Sequence, residues 1–259
     1  MPAPEWVTWV GTFLGGVVAT KVFEKLADFF HEEIKARRSR KLDDADTADR
    51  SLEPLLRSCD ELAGKLRSLA EKDFIPIHQT QQNPLDDLGF SSLIYLFVQF
   101  WSEVEIVRFK GLSTRVARTE RGNRTQAFLR CLESRRVRLI DRISQRAIGE
   151  SALTDARTAN FVEFMKMYEQ DAHVKRWVQP LIEILSKTRE HKVRQSILQY
   201  AVVLHAMIDT IDEDHRVTRD RPGLPNKLNI KTRRELHFRV FGVYLKFVKA
   251  TEKYIGPPI

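Results

Sequence analysis

The chain reads as all-α: a multi-helix bundle preceded by an N-terminal membrane-anchor helix that continues into an amphipathic stalk. Three observations predict this. Apolar residues recur at three- and four-residue spacings along most of the sequence, as one face of a helix requires. The two-residue alternation that marks strands is weak. One apolar run, Trp6 to Val22, carries no charge before Lys21 and stands just ahead of a cluster of basic residues. The expected division is an anchor and stalk over residues 1–42 and a cytoplasmic helical bundle over 43–259.

Composition narrows the class. With 42% hydrophobic and 30% charged residues, the 259-residue chain can bury a core and is not of the disordered type. Cys59 and Cys131 are its two cysteines and lie far apart, which fits a reducing compartment and excludes a C-x-x-C zinc site. A net charge of +8 favours anionic partners, lipid or nucleic acid, without choosing between them.

The run Trp6–Val22 has seventeen residues. As a helix it is about 25 Å long, slightly short of a hydrocarbon core of about 30 Å. It opens on Pro2, Pro4 and Glu5 without a basic region, so an uncleaved anchor fits better than a signal peptide. An interfacial helix and a core helix of a soluble bundle are the other placements the run allows. The membrane-proximal basic residues Lys35, Arg37, Arg38, Arg40 and Lys41 all follow it. Their position predicts a single-pass cell-membrane protein with its N-terminus outside and the bulk of the chain cytoplasmic, the cluster facing anionic headgroups. Gly11, Gly15 and Ala19 recur every four residues, and small residues let helix backbones approach closely in lipid. They mark an anchor self-association face, and with it a homo-oligomer.

Past Lys21 the pattern turns amphipathic and runs on to about Arg40 as the stalk. Aspartates from Asp43 to Asp49 offer N-caps for the next helix, which carries Leu52, Leu55, Leu56, Cys59, Leu62, Leu66 and Leu69 on one side. Residues 74–84, with two prolines, read as a connection. The helix from Phe90 to Val107 is apolar on nearly every side, so it belongs at the centre of the bundle; a second membrane contact is disfavoured by Glu103, Glu105, Arg108 and Lys110.

Ten arginines stand between Arg115 and Arg146 against Glu120, Glu133 and Asp141. A turn is expected at Gly122-Asn123. Arg135, Arg138, Arg142 and Arg146 are spaced as one stripe on the helix that follows, opposite Phe128, Leu129, Leu132, Leu139, Ile140 and Ile143. Guanidinium stripes hold phosphates of lipid or nucleic acid, or simply face solvent. No aromatic residues are interleaved as platforms for bases.

The stretch Ile143-Ser-Gln-Arg-Ala-Ile-Gly-Glu-Ser-Ala-Leu153, with its core at Gln145–Glu150, follows the apolar and arginine-rich helices. It resembles a recurrent pattern in uncharacterised bacterial proteins that carry an N-terminal membrane segment before a helical cytoplasmic domain. The resemblance covers residues 90–155 and implies architecture, not chemistry. By its own chemistry Gly149 marks a break or a close backbone approach, and Glu150 is spaced to pair with Arg146.

Two shorter helices are expected over 158–171 and 174–187, the first burying Phe161, Val162, Phe164, Met165 and Tyr168, the second with Trp177 on its apolar face and Pro180 kinking it or marking its first turn. A long helix from about Glu190 to Glu213 follows, then a turn-rich basic loop through Pro222-Gly-Leu-Pro225. The last helix, Thr232–Tyr254, is expected to bury Leu236, Phe238, Val240, Phe241, Tyr244, Leu245, Phe247 and Val248.

One constellation suggests chemistry. His205, Asp209 and Asp212 stand at i, i+4 and i+7, imidazole and carboxylates on one helix face as a metal-dependent hydrolase would place ligands, with Glu213, Asp214 and His215 just beyond. No matching ligand motif is found on another helix, and no phosphate-binding or nucleophile-elbow glycine motif is present. No cofactor is therefore expected. The leading functional expectation is a membrane-anchored, non-enzymatic interaction or sensing protein with a possible protein partner, a membrane-disrupting effector being its variant. A soluble nucleic-acid-binding protein using the arginine-rich helix and the metal-dependent hydrolase are the alternatives.

Overall fold

The computed structural model describes residues 52–78, 84–111, 119–155 and 157–257. The expected anchor and stalk, with Gly11, Gly15, Ala19, Lys35, Arg37, Arg38, Arg40 and Lys41, lie outside the described residues, as do Arg115 and Arg118. The described part is all-α, with nine α-helices among the described residues and one two-residue hairpin.

Helix α1 (52–71) keeps every expected leucine inside. It ends where Asp73 and Phe74 take left-handed backbone conformations and Phe74 N–H turns back to the Leu69 carbonyl at 2.7 Å, which also seats the Phe74 ring in the core. Helix α2 (Leu88–Ile106) starts on Asp87, whose side chain accepts from Phe90 N–H. Leu93, Ile94, Phe97, Val98 and Phe100 are fully buried, so α2 is the central rod the sequence predicts. Each such side chain contributes on the order of 2 kcal/mol of burial.

Helix α3 (Glu120–Leu132) is capped by the Thr119 hydroxyl, which accepts from Gly122 N–H at 2.9 Å. The turn expected at Gly122-Asn123 is therefore the first turn of α3: the threonine cap wins over the glycine's preference for a break. Helix α4 (Arg142–Ser151) begins at Asp141, whose Oδ1 accepts from Ile143 and Ser144 N–H groups. It crosses α2 at Gly149. A Cβ there would lie 2.6 Å from the Trp101 carbonyl oxygen, and Ser102 Oγ donates to the Gly149 carbonyl at 2.9 Å. Of the two roles open to Gly149, the close approach is the one realised. Glu150 is exposed, and Arg146 turns to Glu133 instead, at 3.4 Å.

The hairpin β1 (Leu153–Thr154) with β2 (Arg157–Thr158), paired antiparallel, leads into α5 (Phe161–Gln170), which opens with a capping box between Asn160 and Glu163. Only Phe164 of α5 is fully buried; Val162, expected inside, is exposed. Helix α6 (Ala172–Ser186) carries Pro180 in its interior, and α7 (His191–Ile211) is a third long helix, after α1 and α2. Trp101 Nε1–H donates to Tyr200 Oη at 3.0 Å, tying α2 to α7 inside the core.

The C-terminal region departs most from expectation. Helix α8 (Ile230–Glu235) continues as a π-helix over Leu236–Tyr244, the chain leaves helical geometry at Leu245, and α9 (Glu252–Ile255) is one turn. Buried residues recur as Leu236, Val240 with Phe241, and Leu245, a spacing of four to five that the wider i→i+5 turn produces. Phe238 and Tyr244, expected in the core at 3.6-residue periodicity, consequently face outward, Phe238 being 59% exposed.

Candidate functional site

The helix face carrying His205 and Asp209 is the most chemically loaded part of the described residues, but its membership differs from the sequence expectation. Asp212 does not join it. The residue ends α7, and its carboxylate turns into the following loop, where it accepts from Arg216 N–H at 3.1 Å, Val217 N–H at 3.0 Å, Thr218 N–H at 2.9 Å and the Thr218 hydroxyl at 2.8 Å. Burial pushes its carboxyl up, yet these hydrogen bonds outweigh that and hold the pKa below the ordinary value. Asp212 is thus a loop organiser, its carboxylate turned to the 216–218 backbone.

Four residues from elsewhere take its place. The loop built on Asp212 puts His215 in a left-handed backbone conformation and returns its imidazole to Asp209, with Nε2 3.6 Å from Asp209 Oδ1 and 3.6 Å from Asp220 Oδ1. The α9 end contributes Lys253, whose Nζ lies 2.7 Å from Asp209 Oδ2 and 3.2 Å from Asp220 Oδ1. Tyr254 Oη donates to Asp209 Oδ2 at 2.8 Å. Burial opposes the Lys253 charge, but the two carboxylates prevail and raise its pKa; burial and the neighbouring Asp209 raise that of Tyr254.

Asp209, His215 and Asp220 offer ligand atoms within 4.8 Å of one another, a spacing that fits a small cation. The Lys253 ammonium already bridges both carboxylates, supplying the positive charge a metal would bring. A divalent ion would have to displace it against like-charge repulsion. The donor set therefore fits an internal ion-pair cluster better than a metal centre.

His205 sits one turn before Asp209, its ring edge-on to Tyr254 at 5.2 Å between centroids. Its Nε2 is buried, 3.6 Å from Asp209 Oδ2, and has no hydrogen-bond partner; Asp209 Oδ1 is likewise buried and unpartnered. Burial lowers the His205 pKa, while Asp209 opposes the shift. Beside His205 runs an apolar cleft of about 50 Å³ between α1 and α7, lined by Leu66, Ala70, Leu198, Ala201 and Leu224 and edged by Arg67 and Arg221. Arg221 is bonded to Asp60, and Arg67 to the Pro222 carbonyl. Ligand pockets run to several hundred Å³. The enclosed part of this cleft is well below that range.

The arginine stripe is not one surface of one helix. Helix α3 stops at Leu132, Arg135 and Arg138 fall in the 133–141 connection, and Arg142 starts α4, where Arg146 lies on the following turn. The Asp141 cap restarts the helix and breaks the i, i+4 register between Arg138 and Arg142. Ile143, expected on the apolar side, is 71% exposed. Arg136, which the spacing did not single out, bridges to Glu235 at 3.1 Å.

His215 stood just beyond the expected triad, but nothing in the sequence joins Asp220, Lys253 and Tyr254 to Asp209; their meeting depends on how the loop and the chain end fold back on α7. Comparisons with family models, with curated proteins and with solved structures find no match, so the resemblance centred on Gln145–Glu150 stands on its sequence pattern alone.

Proposed function

We propose that the chain is a membrane-anchored helical interaction or sensing protein that performs no chemistry of its own. The observation that carries this reading is the use of its two long apolar runs. Leu88–Phe109, apolar and long enough to cross a membrane, is two-thirds buried within the protein and serves as the central rod of the bundle. The run Trp6–Val22, free of charge before Lys21, is a further apolar helix-length segment, and in this reading a membrane is the solvent that accommodates it.

The polar cluster supports the non-enzymatic part. Asp209 is held by Lys253 and Tyr254, and Asp212 by the loop it organises. In this reading Lys35, Arg37, Arg38, Arg40 and Lys41 lie against anionic headgroups on the cytoplasmic side, and Gly11, Gly15 and Ala19 bring anchors together. The test is fractionation. Full-length chain should stay with membranes through alkaline carbonate, and a chain lacking residues 1–34 should not; full-length chain recovered in the soluble fraction without detergent sinks the proposal. Loss of entrapped dye from vesicles carrying the chain would assign it to the membrane-disrupting variant.

A further inference from the structure

We propose that α8 and its π-helical continuation form a second, peripheral membrane contact that docks on anionic lipid. The π-geometry turns apolar side chains outward among basic ones. Ile230 is 61%, Phe238 59% and Val243 55% exposed, and Lys231, Arg234, Arg239, Lys246 and Lys249 are exposed along the same segment. Between residues 230 and 249 the one acidic side chain is Glu235. It is half-buried and engaged by Arg136, so no exposed carboxylate offsets the cations. Ile230, Phe238, Lys231, Arg234 and Arg239 line a common shallow groove with Glu235.

Charge and shape decide the occupant. A second copy of this chain would bring the same cations against this face, and like charges repel across such an interface. A nucleic acid would be met by a run of aromatic platforms, whereas Ile230 and Val243 are aliphatic and the exposed rings Phe238 and Tyr244 stand six residues apart. Apolar side chains flanked by lysine and arginine match the boundary of a bilayer, where the former enter the acyl region and the latter reach the phosphates. The face would hold the bundle flat on the lipid surface. It goes beyond the anchor reading and does not require it.

The test uses the full chain in vesicles of phosphatidylcholine, with and without phosphatidylserine. An environment-sensitive dye is attached at His237→Cys, an exposed position whose ring touches Phe238. The native Cys59 and Cys131 are buried and do not compete for the label. In phosphatidylserine vesicles the dye should shift to the blue and be quenched by spin-labelled lipid; in pure phosphatidylcholine it should stay in water. Replacing Lys231, Arg234 and Arg239 together by glutamine should weaken docking roughly a hundredfold, since each cation near an anionic surface is worth about a fivefold change. Ile230→Ser with Phe238→Ser should abolish the blue shift while leaving the helical circular dichroism unchanged. No quenching on phosphatidylserine, equal quenching on both lipids, or a shift produced by RNA or by raised protein concentration without vesicles overturns the proposal. Carbonate-resistant chain whose dye stays in water refutes this face and keeps the anchor. Chain released by carbonate whose dye is still quenched by phosphatidylserine vesicles refutes the anchor and keeps the face.

Discussion

Lys253 Nζ lies 2.7 Å from Asp209 Oδ2 and 3.2 Å from Asp220 Oδ1, so the chain end closes an ion cluster on α7 with its own cation. Lys253→Met should leave the two carboxylates facing each other and cost about 1–3 kcal/mol, less than a fully buried pair because Lys253 is partly exposed. The same variant should gain zinc binding through Asp209, His215 and Asp220, seen as a zinc-dependent rise in melting temperature. The parent chain should show no such rise; a parent chain stabilised by stoichiometric zinc would restore the metal-centre reading.

Gly149→Ala should destabilise the bundle by about 1–3 kcal/mol, because the added methyl would meet the Trp101 backbone carbonyl, which cannot swing aside as a flexible side chain can. Urea denaturation measures this directly. A midpoint unchanged from the parent would mean that α2 and α4 do not cross as closely as described.

Tyr200→Phe should cost about 1–3 kcal/mol, since it leaves the buried Trp101 indole N–H without an acceptor. Native-state hydrogen exchange of the indole proton should quicken with it. A variant as stable as the parent would show that the indole finds another partner.

Stability should depend on pH through His205. Its pKa is lowered in the folded protein, so it favours folding fully above the unfolded value of about 6.5 and loses that contribution as pH falls toward the folded value. The sign follows from the unfolded chain binding the proton more tightly. His205→Gln should flatten the decline in stability below about pH 6.5. If parent and variant fall in parallel through that window, another group is responsible.

Much of the fold was legible because helices announce themselves through local periodicity. Leu52 to Leu69 on α1 and Phe90 to Val107 on α2 were readable as one buried face and one buried rod, and both are buried as expected. What escaped was set by competition the spacing does not display. Thr119 and Asp141 each start a helix where the apolar and arginine patterns suggested continuity or a turn. The π-turns after Leu236 change the period, so Phe238 and Tyr244 came out on the opposite side. At the polar cluster His205 and Asp209 were visible as neighbours on a helix. Asp212 parts from them because a carboxylate at a helix end is as apt to accept from backbone N–H groups as to face a ligand. Lys253 and Tyr254 reach Asp209 from 44 and 45 residues away, a separation over which spacing carries no information.

The anchor can be tested by asking from which side of the membrane its N-terminus is reached. Ala3→Cys in the full-length chain supplies a thiol ahead of Trp6, while burial raises the Cys59 thiol pKa and pushes that of Cys131 up to about 12, keeping both unreactive. A membrane-impermeant maleimide should label residue 3 in intact cells, with labelling no greater after lysis. A thiol that reacts only once the cells are broken would contradict a helix that crosses the membrane with its N-terminus outside.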